Sequence, residues 1–283
     1  MIQEKDILPL NYINFNLYDL LNIMPELPEV ETLKRYFDKT SLGQLITKVK
    51  INDNRVLNTT ENFFKNKIIN KHFESTIRHG KYLFVYLKPN YLILHFGMTG
   101  DLEYYSKKEE EPQYSKVIFQ FENGYNLAYI SLRMFGKLEI AKSIEEFIEK
   151  KKLGPDAYKM SLEDFQHALK RRSAIAKNAL LNQSFVAGIG NLYSDEIMFR
   201  TKLHPKSKLD QLDDEKIKEL YTNIKDVLQY GIEKKGDLSV YPDDFIIPHR
   251  KKEELCPICN NELSFLDISG RRSFFCPSCQ KDS

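Results

Sequence analysis

No charge of one sign dominates this chain. Its 42 Lys and Arg residues stand against 40 Asp and Glu, leaving a net charge of +2 over 283 residues. Global basicity therefore does not announce a nucleic-acid partner, and any such surface has to come from local segregation of charge. Long apolar runs are missing as well. None approaches the roughly 20 residues that a membrane span needs, so no membrane partner is expected. Residues 1–23 lack the basic n-region and the small-residue cleavage site of a secretion signal. Internal repeats and low-complexity blocks are absent from the sequence. Cysteine is scarce: there are four, all between positions 256 and 279, in two Cys-x-x-Cys pairs. A disulfide framework scatters its cysteines more widely, so this grouping reads as metal binding in a reducing cytoplasm.

What is present has ordinary globular composition, 42% hydrophobic and 29% charged. The character of the chain changes at Met24. From 29 to 39, Val30, Leu33, Tyr36 and Phe37 recur at helical spacing with charges between them, which predicts an amphipathic helix after Pro25 and Pro28. Segments 45–51, 82–87, 91–96, 116–121, 125–130 and 136–141 are short, β-branched and aromatic, and turn signals separate them. One helix, about 60–68, interrupts the strands. The charged stretch 145–152, closed by Leu153-Gly154-Pro155-Asp156, reads as a domain junction. Beyond it the pattern is helical over 161–170, 174–181, 190–200 and 213–230, and Ser161 with Asp164 makes an N-cap pair. The expected organisation is α+β and multidomain: an extension over 1–23, a β-sandwich with a leading helix over 24–152, a helical domain over 153–245 and a zinc hairpin over 246–283.

Cys256-Pro-Ile-Cys259 and Cys276-Pro-Ser-Cys279 are separated by sixteen residues. Each pair lets two thiolates reach one ion from a tight turn, and four thiolates suit a tetrahedral Zn²⁺. Residues 263–268 and 273–275 can form two strands around Ser269-Gly270-Arg271. No His or carboxylate offers an open coordination position, so one structural Zn²⁺ is expected; two reactive dithiols are the competing reading. Arg271 and Arg272 fall at the expected tip, where a guanidinium can grip a phosphate.

Further strings carry a resemblance. They are Met24-Pro25-Glu26-Leu27-Pro28-Glu29-Val30-Glu31-Thr32, His79-Gly80-Lys81-Tyr82-Leu83, His95-Phe96-Gly97-Met98-Thr99-Gly100, Arg133-Met134-Phe135-Gly136, Leu153-Gly154-Pro155-Asp156 and Ala187-Gly188-Ile189-Gly190-Asn191-Leu192-Tyr193-Ser194-Asp195-Glu196. With the cysteine module, and in this order, they resemble the formamidopyrimidine-DNA glycosylase and endonuclease VIII family of bifunctional DNA repair enzymes, and the first branch more closely. The resemblance implies a β-sandwich domain, a helix–two-turn–helix domain and a zinc finger. It also implies base-excision repair, in which a glycosylase and AP lyase removes oxidised bases from damaged double-stranded DNA. A monomer in the cytoplasm, associated with the nucleoid if bacterial, is expected.

The family's chemistry accounts for the residue types. A proline amine can attack C1′ of the deoxyribose and form an iminium, after which β- and δ-elimination cut the strand. By resemblance Pro25 is the nucleophile, Glu26 the acid assisting ring opening, Lys81 a proton donor and phosphate contact, and Glu29 a second carboxylate near the site. Taken alone, Glu26 could equally be a solvated carboxylate of a first helical turn. As numbered, the Pro25 nitrogen is in an amide, whose lone pair is delocalised. The mechanism therefore needs translation to start at Met24 or residues 1–23 to be removed, and Met24 then to be lost, which the small residue after it suits; otherwise the enzyme lacks this nucleophile.

Excision also requires the damaged nucleotide to leave the stack and something to fill the gap. Met98, Arg133 and Phe135 match the family's inserted side chains, although a Met or Phe beside Gly can also be core. Lys177 and Asn191 match phosphate contacts, Asn191 at a glycine-bounded helix start that could simply be a cap. Arg271 matches the zinc-finger arginine and serves both catalysis and DNA binding. His95 and Lys116 fall near family DNA contacts, and a His on an apolar strand can instead belong to the core.

The stretch 235–250 departs most from the family, with Lys235-Gly236-Asp237-Leu238-Ser239 and Phe245-Ile246-Ile247-Pro248-His249-Arg250. It leaves 8-oxoguanine or formamidopyrimidine specificity open against an endonuclease VIII-like preference for oxidised pyrimidines. Two other classes compete: a non-catalytic damaged-DNA binder, if Pro25 stays blocked, and a zinc-ribbon RNA-binding protein.

Overall fold

The computed structural model describes residues 24–169 and 174–281. The extension expected over 1–23 lies outside the described residues. Two compact units emerge. The first takes in residues 29–147, and the second takes in Ile148 onward together with Glu26–Pro28.

In the first unit, helix α1 (Leu27–Ser41) is followed by β1 (Ile46–Ile51), α2 (Glu61–Ile68) and seven further strands. These are β2 (Ser75–His79), β3 (Tyr82–Tyr86), β4 (Tyr91–His95), β5 (Gly100–Ser106), β6 (Ser115–Phe121), β7 (Tyr125–Ser131) and β8 (Lys137–Ala141). They form two four-stranded sheets ordered β1-β6-β7-β5 and β2-β3-β4-β8, with all pairs antiparallel. One core joins both sheets, drawing Leu83, Leu92 and Leu94 from one and Val117, Phe119 and Leu127 from the other, with Val30, Leu33 and Phe37 of α1. Phe73 sits at its centre, edge-on to Phe37, Phe119 and Phe121 at 4.9, 5.6 and 5.8 Å. The expected β-sandwich with a leading helix is what the chain forms.

Two strands escape the periodicity reading. β2 contains a charged residue on its buried side: Arg78 is 2% exposed. β5 is an edge strand that pairs only with β7, and edges tolerate the charges of Asp101 and Glu103 that hide its pattern. The charged stretch read as a junction is largely helix α3 (Ile144–Lys151). Glu145 and Glu146 occupy its first turn and Lys150 and Lys151 its last, the polarity that the helix dipole favours.

The second unit holds α4 (Leu162–Leu169), α5 (Ala176–Leu181), α6 (Asn191–Arg200), α7 (Asp214–Glu233) and the hairpin β9 (Ser264–Ile268) and β10 (Arg271–Phe275). Ser161 and Asp164 form the expected reciprocal cap, with Asp164 N donating to Ser161 Oγ at 3.1 Å and Ser161 N to Asp164 Oδ2 at 2.9 Å. α6 is buried along almost its whole length, from Leu192 to Phe199, and its core extends through Leu220, Ile224 and Leu228 of α7. The hairpin turn is only Ser269-Gly270, with φ of 52° and 71°. Arg271 and Arg272, expected in the turn, are instead the first residues of β10, paired with Ile268 and Asp267. No helix among the described residues is long and apolar enough to cross a membrane.

Candidate active site

Within the second unit, Glu26 and Leu27 are held through the Leu27 backbone and the Glu26 side chain. Leu27 N donates to Gly188 O at 3.0 Å. Glu26, 3% exposed, accepts from Leu192 N at 2.8 Å and from Gly190 N. Those N–H groups open α6, whose N-cap is Gly190. The start of α6, expected to approach a phosphate, thus carries the Glu26 carboxylate as its anion, which uses the positive end of the helix. Gly188 has φ +119°, and a Cβ there would meet the Leu27 side chain at 2.5 Å, so a side chain at 188 would displace the segment. Pro25 is half-buried and directly precedes this anchored residue. Glu29 is buried in the first turn of α1.

Lys81 occupies the two-residue turn between β2 and β3, where His79 pairs with Tyr82. Gly80, with φ +57°, supplies the left-handed conformation. Sequence reasoning missed what fixes this turn. Arg78 donates to Glu31 Oε2 from Nε at 2.9 Å and to Gly80 O from Nη1 at 3.2 Å.

The loops that carry Met98 and Arg133–Phe135 come together. A Cβ on Gly97 would run into the backbone of Phe135 and Gly136, so the two loops abut at main-chain distance. Arg133 N donates to Thr99 Oγ1 at 3.1 Å, and the Arg133 guanidinium lies 5.8 Å from the Phe135 ring centre. Met134 takes φ +60°, and Phe135 is 56% exposed although it is large and apolar. His95 borders this pair: its carbonyl accepts from Tyr129 Oη at 2.7 Å, and its ring lies 4.8 Å from Tyr82. Lys116 is elsewhere in the unit, at the irregularity of β6 between Ser115 and Val117, where its carbonyl accepts from Asn52 N at 2.8 Å.

In the second unit, the expected phosphate contact Lys177 is placed differently. It is fully buried, and its ammonium donates to Asp195 Oδ1 at 2.5 Å, Ser194 Oγ at 2.7 Å and Asn191 O at 3.0 Å. Three acceptors use all three donors of the ammonium. Burial pulls its pKa down, and Asp195 opposes that shift. Asn191 Nδ2 donates to Arg272 O at 3.0 Å. Arg272 stacks over Phe265, its guanidinium 4.4 Å from the ring centre, while Arg271 is exposed.

The four cysteine sulfurs lie within 4.8 Å of one another, with Cys256–Cys279 at 3.8 Å and Cys259–Cys276 at 3.5 Å. Tetrahedral Zn–S bonds of about 2.3 Å place sulfurs about 3.8 Å apart, so the donor set fits such an ion. Gln280 ties this hairpin inward, donating to Leu203 O at 2.7 Å and accepting from Cys276 N at 2.9 Å.

Residues 24–138 match the model of the formamidopyrimidine-DNA glycosylase N-terminal domain, and 153–241 that of its H2TH domain. The formamidopyrimidine-DNA glycosylase of Streptococcus pneumoniae is 33% identical over 272 residues, covering 91% of this chain and 99% of the relative. That of Pelotomaculum thermopropionicum is 33% identical over 274 residues, with the same coverage. Lactococcus lactis Fpg superposes with a TM-score of 0.82 at 28% identity, over 91% of this chain and 100% of that one, in a complex with DNA containing N7-benzyl-Fapy-dG. Its complex with abasic-site DNA gives the same values. A two-sheet domain, an H2TH domain and a four-cysteine hairpin with these relatives define a base-excision-repair DNA glycosylase. The chain belongs to the formamidopyrimidine-DNA glycosylase family.

Proposed function

We propose that this enzyme, a DNA glycosylase with the AP lyase activity general to its family, excises oxidised purines of the 8-oxoguanine and formamidopyrimidine type, using Pro25 as its nucleophile. The observation that carries the reading is the buried Glu26, clamped by two helix-start N–H groups immediately after Pro25. The nitrogen of Pro25 bonds to C1′, and the base departs with the electron pair of its glycosidic bond and gains a proton. Ring opening, assisted by Glu26, leaves an iminium on the open-chain sugar. The iminium acidifies C2′–H. Loss of that proton expels the 3′-phosphate, a second elimination expels the 5′-phosphate, and water releases Pro25. A carboxylate held one residue away complements the positive charge as it develops. Lys81, fixed in its glycine turn, donates a proton and meets a phosphate.

The Pro25 nitrogen acts only once it is no longer acylated by Met24, since an amide nitrogen is not nucleophilic. Met98, Arg133 and Phe135 fill the gap left by the extruded nucleotide: two abutting loops present an exposed ring and a guanidinium, which suits wedging and hydrogen bonding to the orphaned base. Arg271 grips the backbone. Asn191 and Lys177 act from behind it, and His95 and Lys116 are flanking contacts. Cys256, Cys259, Cys276 and Cys279 hold one structural Zn²⁺, which supplies rigidity and no reactive step. Unpaired thiols suit a reducing, cytoplasmic compartment, and a monomer suffices for the residues named.

Borohydride trapping on duplexes carrying 8-oxoguanine, formamidopyrimidine, thymine glycol or an abasic site tests this directly. A covalent adduct with the purine lesions, at an intact mass beginning at Pro25, is the expected result. Trapping on abasic DNA alone would remove the glycosylase assignment, and preference for thymine glycol would reassign the lesion class. An adduct formed by a species still acylated at Pro25 would remove the nucleophile.

A further inference from the structure

Asp195 has no solvent exposure, yet two cations and two further donors converge on it. Lys177 Nζ and Ser273 Oγ donate to Oδ1 at 2.5 and 2.6 Å. Arg250 reaches Oδ2 through Nε and Nη2, both at 2.9 Å, and Phe274 N donates to the same oxygen at 3.1 Å. Four segments therefore meet at one carboxylate: α5, α6, the stretch before the first cysteine, and β10.

The strand that carries Arg271 depends on this meeting point. Ser269 Oγ donates to Asn178 Oδ1 at 2.8 Å just before it, and Arg272 O accepts from Asn191 just after it. Ser273 and Phe274 then complete the attachment through Asp195. Side chains two apart share a face of a strand, so Arg271 points to the side on which Ser273 meets α6. The other end of the framework is Glu26. Lys177 donates to Asn191 O, and the neighbouring Gly190 and Leu192 N–H groups hold the Glu26 carboxylate.

We propose that Asp195 is a positioning residue for the lesion reaction, fixing the Arg271 strand against the same helix start that clamps Glu26. Lys177 and Arg250 are its counter-ions. On this assignment Lys177 serves DNA binding from inside the protein, without touching phosphate. The inference rests on the reading of Arg271 as a backbone contact.

The test is a double-mutant cycle on the zinc-loaded full chain, with a duplex containing a tetrahydrofuran abasic analogue and Kd measured across salt concentrations. Arg271→Ala alone is expected to weaken binding about tenfold and to lower the salt slope by about 0.9. Ser273→Ala and Asp195→Asn should each weaken binding by a similar factor when Arg271 is present, and by less than about twofold in the Arg271→Ala background. If Asp195→Asn leaves two buried cations unpaired and does not fold, Ser273→Ala carries the cycle, because it removes one neutral donor. Equal losses in both backgrounds would make Asp195 a general structural residue and overturn the proposal. No effect of Arg271→Ala alone would instead remove the reading of Arg271 on which it stands.

Discussion

Arg78 and Glu31 form an ion pair in which the guanidinium is 1% exposed and the carboxylate 18%. It joins α1, which begins at the Pro-Glu segment, to the turn that presents Lys81, since the same guanidinium holds Gly80 O. Removing one member of a buried pair strands the other charge. Glu31 retains Arg35 at 3.2 Å, which softens the loss. Arg78→Met should therefore lower stability by about 2–3 kcal/mol, below the roughly 3–5 expected of a sealed pair. Urea melts check the stability. An AP-lyase rate that falls more than the binding affinity would show that the Lys81 turn has lost its geometry.

Gly97→Ala should be costly for a backbone reason. The site has φ +62°, and the added carbon meets main-chain atoms of Phe135 and Gly136, which cannot swing aside. A loss of about 2–4 kcal/mol is expected, accompanied by weaker binding to lesion duplexes as the Met98 and Phe135 loops part. Unchanged stability would mean the two loops separate without penalty.

Glu26→Gln keeps the shape and one acceptor oxygen but removes the charge and brings an amide N–H₂ against a backbone donor. Borohydride-trapped adduct should form about 10²-fold more slowly. Equilibrium binding to an abasic-analogue duplex should change much less than the trapping rate. A parallel drop in both would recast Glu26 as an anchor of the segment with no part in the chemistry.

Glu196 gives a pH signature. Burial pushes its carboxyl up to about 7 from an ordinary 4.5, against the lowering influence of Arg200 and Ile247 N. Between those values the folded state binds a proton that the unfolded state has released. Stability from this group is thus complete below about pH 4.5 and lost as pH rises through about 7, a total of about 3 kcal/mol. In Glu196→Gln the slope of unfolding free energy against pH should become more positive by about one proton across this window. An identical slope in both proteins would place the titration elsewhere.

Cys279→Ser, or chelation, should release one metal ion per chain and abolish lesion binding while the β-sandwich stays folded. Cys256 and Cys276 also contribute to a small core with Phe199, Ile246, Leu263 and Phe274, so losing the ion should loosen the hairpin rather than only one ligand. Metal release measured with a chromogenic chelator, beside near-UV spectra, checks this. Normal binding by the metal-free form would make the ion dispensable.

Much of this was legible in the residues. Short β-branched and aromatic runs bounded by turn signals located most strands because their buried residues are mainly hydrophobic, and the Cys-x-x-Cys spacing located the sulfur cluster because a tetrahedral ion imposes it. β2 was not legible, since an arginine stands where an apolar residue would mark the inner face. Lys177 carries the pattern of a phosphate contact, and only the fold reveals that it is buried and that Asp195, eighteen residues on, engages its ammonium. Arg250 and Asp195 were visible as letters but not as a pair, since charge partners distant in sequence carry no periodic signal.

The clamp on Glu26 also has a consequence in time. Its partners lie 164 and 166 residues further along the chain. At about 5–20 residues per second of synthesis, Glu26 emerges roughly 10–30 s before the helix start that receives it. The two sheets can close on the ribosome meanwhile, but Glu26 must wait, so the clamp on its carboxylate is completed only after residues 190–192 have been made.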